Sequence, residues 1–299
     1  LVVSGIESAF GSPARAFEGS FATGPGGRAG VSMGFSAGVL SLDLDATPTP
    51  TVDVVPDLNG DAFDDNVFSL AVSPTNGDLV SAWLSPSFSP GVTLFKTEQT
   101  GPATFDTDTL VSEVQSDAFG GGIAFNGGGD LFVSVFKPTG TFPDPSGDGR
   151  FYRITAAELA TFETTGVMPT PTLVGQAVTN GNGQIAATDD GRIFFNTLTG
   201  VGVIDTLTGD VTELLGDIDD PNLFFLDGFT LPYNGIAVDP LSHLVVTTQY
   251  NPSLDAYELV AIESESTGPL NGIPEPAGAA TMLIGLTMLS RRRRQRDGS

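Results

Sequence analysis

The chain has 299 residues, with 12 basic against 36 acidic ones, a formal charge of −24 and no cysteine. The missing cysteines remove disulfides, thiolate metal sites and thiol nucleophiles, and charge of this sign repels nucleic acid and anionic lipid. Thirty-eight glycines, 21 prolines and short apolar bursts give the texture of many strands joined by tight turns.

The sequence starts at Leu1 without a basic n-region or a long apolar run, so an N-terminal export signal is expected to precede it. Segments 1–3, 16–21, 38–44 and 51–55 read as strands, enough for one small sheet. Next comes an acidic loop, 57–65. Asp57, Asn59, Asp61, the carbonyl of Phe63 and Asp65 stand at positions 1, 3, 5, 7 and 9, a spacing that can wrap a hard cation. The loop resembles the Asp-x-Asn-Gly-Asp calcium loops of integrin-type propellers and dockerins, which implies a structural calcium ion. Ala62 replaces the glycine usual at position 6, and no glutamate follows at position 12, so an EF-hand is excluded. An ordinary acidic turn is the other reading.

Four segments then repeat one pattern: 68–80, 122–133, 184–195 and 235–246. Each runs apolar, Ala, apolar, then four or five turn residues, then a β-branched or aromatic run, which is a hairpin. The shared alanines, Ala71, Ala124, Ala186 and Ala237, are 53, 62 and 51 residues apart. A hairpin per unit at such a period indicates a β-propeller, with one four-stranded blade per repeat. The small alanine suits an innermost strand, where blades converge. Strand candidates 201–205 and 207–215 follow the third hairpin as outer strands. The expected fold is all-β, a propeller of about five blades with six as the alternative, occupying 1–264. The repeats resemble the propeller group that includes NHL-repeat and gluconolactonase/regucalcin-like proteins.

One helix is legible. Thr155 with Glu158 forms a capping-box pattern ahead of an apolar stretch to 163, a decoration between blade strands. The single histidine, His243, falls in a hairpin turn, and with one His and no Cys a Ser-His-Asp type of triad has no support. The glycine runs 120–122 and 127–129 lack the lysine and helix start of a phosphate loop and read as turns. Lactonase-type propellers gather Glu, Asn and Asp around a metal near the start of the innermost strands. Those places here hold Phe68, Gly121, Gly183 and Asn234, so only Asn182 and Asn234 could serve, although Asp64, Asp65 and Asp239 lie nearby.

A polar linker, 265–273, leads to Pro274, Glu275 and Pro276. The prolines disfavour helix and hold this stretch extended. Residues 277–290 carry no charge, and Arg291, Arg292, Arg293, Arg294 and Arg296 follow. As a helix the apolar run reaches about 21 Å, short of the roughly 30 Å bilayer core, which suits a transient signal better than a permanent span. The arginines would stay on the cytoplasmic side, leaving the body outside. Segment 274–299 resembles the PEP-CTERM sorting signal. The resemblance implies processing by an exosortase-type enzyme and delivery to the cell envelope or exterior. Up to Pro276 the chain has 7 basic and 35 acidic residues, a balance of −28. The expectation is an exported, non-enzymatic propeller, a surface or extracellular-matrix component or binding module, with polysaccharide or matrix as partner. A metal-dependent hydrolase or lactonase outside the inner membrane is the alternative.

Overall fold

In a computed structural model, residues 21–32, 39–43, 51–55, 66–84, 90–101, 103–139, 147–179, 183–197, 199–216, 233–238, 244–251 and 256–262 are described. They form five antiparallel sheets, each built from strands consecutive in the chain. Sheet one holds β1 (Phe21–Thr23), β2 (Arg28–Ser32), β3 (Val39–Asp43) and β4 (Thr51–Val55). Sheet two holds β5 (Asn66–Val72), β6 (Leu79–Leu84), β7 (Val92–Gly101) and β8 (Thr104–Val111). Sheet three holds β9 (Phe119–Phe125), β10 (Leu131–Pro138), β11 (Gly147–Ile154) and β12 (Thr172–Thr179), with α1 (Ala156–Thr165) between its last two strands. Sheet four holds β13 (Ile185–Ala187), β14 (Arg192–Asn196), β15 (Gly200–Asp205) and β16 (Val211–Gly216). Sheet five holds β17 (Tyr233–Val238), β18 (Val245–Asn251) and β19 (Ala256–Ile262).

The apolar bursts of the sequence become strands buried on both faces. Successive strand side chains point to opposite sides, so a strand between two cores reads as a continuous apolar run. In β5, Val67, Leu70 and Val72 pack toward sheet one with Val39 and Val55, while Ala71 packs toward sheet three with Ile123 and Leu131. In β14, Ile193 and Phe195 meet Phe132 and Phe151 of sheet three, and Phe194 meets Val245 and Ile262 of sheet five. The core is therefore a series of layers, one between each successive pair of sheets. Fully buried Phe132, Phe151, Phe194 and Phe195 are its largest members, each contributing about 1.5–3 kcal/mol on transfer from water.

All four Ala-centred hairpins form as the sequence predicts, pairing β5 with β6, β9 with β10, β13 with β14 and β17 with β18. The turns after β5, β9 and β13 share one closure. Ser73 N–H donates to the Asp78 carbonyl at 2.8 Å, Asn126 N–H to Asp130 at 3.0 Å, and Thr188 N–H to Arg192 at 3.0 Å. Gly129 and Gly191, at φ 86° and 88°, supply the left-handed residue these turns need. The first hairpin follows the same plan, with Gly24 N–H donating to Arg28 at 2.8 Å. Ala22 of β1 is thus a fifth copy of the repeated alanine, 49 residues before Ala71. Of the strand candidates in this region, 38–44 and 51–55 form β3 and β4, 16–21 meets β1 only at Phe21 with 16–20 outside the described residues, and β2 is absent from the sequence reading because Arg28–Ser32 lacks large apolar residues. The loop 57–65, His243, Asn182, segment 1–3, the linker and the segment 274–299 with its expected apolar helix lie outside the described residues. Among the described residues no helix is long and apolar enough to cross a membrane.

Candidate functional site: the central channel

The first strands of all five sheets line one cavity of about 580 Å³. Ala22 and Thr23 come from β1, Leu70 to Val72 from β5, Ile123 to Phe125 from β9, Ile185 to Ala187 from β13, and Gly235 to Val238 from β17. All five repeated alanines are among the lining residues, which explains their size: larger side chains there would fill the space where the sheets converge. Sequential packing of β1 on β5, β5 on β9, β9 on β13 and β13 on β17 carries the wall from sheet one to sheet five. This is a propeller-like arrangement around a channel, with each sheet's last strand outermost.

Hairpin turns form one rim. Asn126 and Gly127 of sheet three stand beside Pro74 of sheet two in the lining. Asp189, in the turn of sheet four, accepts a hydrogen bond from Gly128 N–H at 2.9 Å, tying two neighbouring turns together. The Asn126 carboxamide oxygen accepts from Asp130 N–H at 2.8 Å, so it is committed to its own turn.

The opposite end, where the innermost strands begin, carries a polar tie among three sheets. Ser69 Oγ in β5 accepts from Ile123 N–H in β9 at 3.0 Å and donates to Gln184 Oε1, just before β13, at 3.2 Å. Gln184 Nε2 also donates to the Phe68 carbonyl at 3.4 Å. The approach is close enough to require glycine in β9: a Cβ on Gly122 would stand 2.5 Å from Ile185 N. The Phe68 ring lies against Gly120 in the same way. Neither the Ser69–Gln184 tie nor the contact of the Phe68 ring with Gly120 was visible in the sequence, where the glycine run 120–122 read as a turn. It is part of strand β9 instead, and 127–129 is the turn.

Chemically, the described wall is apolar, mostly aliphatic with Phe125, and Thr23, Asn126 and Gln184 are its polar side chains. It offers hydrogen bonds and apolar contact, and the exposed edges of five inner strands add backbone donors and acceptors. Among the described residues no group of three or more His, Cys, Asp or Glu is placed to hold a metal. Of the two amides weighed for a lactonase-type centre, Asn234 lies in β17 at the strand start. Asp64, Asp65 and Asp239 lie outside the described residues.

No protein-family model matches this sequence, and comparison with curated proteins gives no match. Several solved structures are similar in fold. A gluconolactonase from Xanthomonas campestris, XC5397, is 11% identical over 79% of this chain and 69% of its own, with a TM-score of 0.48. The periplasmic gluconolactonase PpgL from Pseudomonas aeruginosa is 14% identical, covering 87% and 76%, with a TM-score of 0.45. TolB from Acinetobacter baumannii is 14% identical over 78% of this chain, which spans 47% of that protein, with a TM-score of 0.46.

Proposed function

We propose that this chain is a five-bladed, exported β-propeller that holds an uncharged ligand in its central channel and serves as a surface or matrix component rather than a catalyst. The observation that carries the reading is the channel wall itself. It is built mainly from apolar residues and glycine, its size falls within the range of small-molecule pockets, and Asn126 and Gln184 are already committed to neighbouring backbone and side chains. Such a wall favours an apolar or neutral hydroxylated guest, for which the inner strand edges supply backbone hydrogen bonds. An extracellular polysaccharide or matrix component is the proposed partner.

The export reading rests on segment 274–299. An exosortase-type enzyme would recognise Pro274, Glu275 and Pro276 while residues 277–290 sit transiently in the inner membrane, and the arginines would be left behind. Intact-mass measurement of the released protein is expected to show loss of Arg291 to Arg296. Retention of Arg296 on exported protein would remove the sorting proposal.

A second reading is a metal-dependent lactonase. It draws on the gluconolactonase activity named for two of the similar structures and on Asp64, Asp65 and Asp239, which flank the innermost strands in sequence. One assay separates the two readings. Purified protein is mixed with a sugar lactone, with and without calcium, and proton release is followed. The binding reading expects the uncatalysed rate under both conditions. Metal-dependent turnover, abolished by Asp65→Asn and Asp239→Asn, would replace it with the lactonase.

A further inference from the structure

Helix α1 is tied down at both ends. At its start, Asp130 accepts from Ala156 N–H at 2.8 Å. Near its end, Glu163 pairs with Lys96 of β7 at 3.1 Å and accepts from Asn76 Nδ2 at 3.0 Å. Between these ties Phe162 is its one buried residue. Ala156, Leu159, Ala160 and Glu163 fall on a single stripe of the helix. That stripe borders a space of about 220 Å³, walled by Val80 and Leu110 of sheet two and Phe125 of sheet three. Two alanines, where larger side chains would fill the gap, leave it open. Phe125 is the only residue that this space shares with the described lining of the central channel, so the two are distinct.

The wall of this recess is apolar and its mouth is charged. Asn76, Asp78, Lys96 and Glu163 border both the recess and a polar cleft of about 530 Å³ beside it, which Glu98 and Asp108 also line. Lys96 is already engaged by Asp78 at 2.8 Å and by Glu163. Glu98 and Asp108 are exposed, and among the described residues neither forms an ion pair. Strand register keeps them close. Asp108 of β8 stands opposite Lys96, and Glu98 lies two residues along β7 from it, about 7 Å away. Four carboxylates thus surround one ammonium where the apolar space opens.

We propose that this recess is a second binding site, for a small organic cation with an apolar body, of the arylalkylamine class. The body lies beneath α1 against Val80, Leu110 and Phe125, and the ammonium faces Glu98 and Asp108. Size sets the body. Apolar cavities of about 150 Å³ already admit a benzene-sized guest, and such a guest gains contact with apolar side chains in exchange for water. Charge sets the head. An anion would meet four carboxylates, and the one ammonium is held by two of them. A bare metal ion fits poorly as well, since among the described residues no three acidic groups are placed to hold one. An organic cation needs no such close cage and is attracted over a longer range.

Calorimetric titration of the full chain with phenethylamine, phenethyl alcohol, phenylacetate and ethylamine tests this. The first three carry a phenyl body with a positive, neutral or negative end, and the fourth has the charge without the ring. Phenethylamine is expected to bind about tenfold or more tighter than each of the others, with an affinity that falls as salt rises. Ala160→Phe puts a ring into the recess and is expected to abolish binding. If that variant keeps the affinity of the parent, the guest sits elsewhere, the channel included, and the proposal is overturned. Glu98→Gln with Asp108→Asn changes only exposed side chains and serves should Ala160→Phe fail to fold. It is expected to lower phenethylamine to the affinity of the alcohol, and an unchanged affinity would overturn the proposal. Ethylamine binding as tightly as phenethylamine would overturn it too, because attraction to the acidic surface alone would then suffice. So would a parent chain that binds none of the four.

Discussion

Ser69 has no exposed surface, and its hydroxyl joins three sheets by accepting from Ile123 N–H and donating to Gln184 Oε1. Replacing it with alanine strands a buried backbone donor, which costs about 1–3 kcal/mol. Ser69→Ala is therefore expected to lower the urea midpoint without changing the slope of unfolding; a midpoint equal to that of the parent would show that the tie carries no stability. No sequence pattern announces this serine, because its partners are 54 and 115 residues away. The repeated alanines were legible for the opposite reason. Each sits at one position of a local hairpin, and steric crowding at the channel acts on that position in every repeat. Ala22 escaped notice because its hairpin turns through Pro25, Gly26 and Gly27 into a strand of small residues, so the apolar half of the pattern is missing.

Helix α1 shows the same division between local and distant signals. Its start was readable: Thr155 accepts from Glu158 N–H at 3.2 Å, and Glu158 accepts from Thr155 N–H at 2.8 Å, the reciprocal capping box. The Thr155 hydroxyl and then its N–H hold the Glu158 carboxyl below the usual glutamate range. The docking of α1 was not readable, since it depends on strands of another sheet. Lys96 of β7 reaches Asp78 at 2.8 Å and Glu163 of α1 at 3.1 Å, and Asp130 accepts from Ala156 N–H at 2.8 Å while pairing with Arg153. Burial lowers the Lys96 pKa, but the hydrogen bonds and charges of Asp78 and Glu163 outweigh it, leaving the ammonium above its ordinary value. A raised lysine pKa stabilises fully below the unfolded value and ceases to do so as pH rises through the folded one. Detachment of α1 from sheet two is therefore expected in the alkaline range above the ordinary lysine pKa, while neutral and mildly acidic solutions retain the contact. Lys96→Met leaves the nearly buried Asp78 carboxylate without its cation, and loss of that charged partner is expected to cost about 1–3 kcal/mol at neutral pH. The penalty should fade at high pH, where the parent lysine is also neutral. Denaturation midpoints of the two proteins across this range provide the check, and a gap that persists unchanged would exclude the ion pair as its origin.

At the scale of the molecule, the all-β character and the layered core of the described residues followed from hairpins repeated along the chain, whereas the channel's contents followed from which residues the sheets bring together. The acidic excess also acts globally. A chain that carries 35 carboxylates and 7 basic groups up to Pro276 is compressed against its own repulsion, so ions change its stability whether or not they occupy a site. This bears directly on the loop 57–65, where Asp57, Asn59, Asp61, the Phe63 carbonyl and Asp65 are proposed to hold calcium. A ligand that binds the folded state alone raises stability with its concentration relative to its affinity, so saturating calcium should raise the melting temperature. Asp57→Ala with Asp61→Ala should remove the part of the rise due to the loop. General screening remains in that variant, and magnesium separates the two effects. Magnesium relieves repulsion as a divalent ion but demands tight octahedral geometry and gives up its waters reluctantly. A calcium-specific increment over magnesium in the parent, absent from the double variant, is the expected result. Equal responses to both ions in both proteins would mean that the loop is an acidic turn, and that divalent ions act on the molecule only through its total charge.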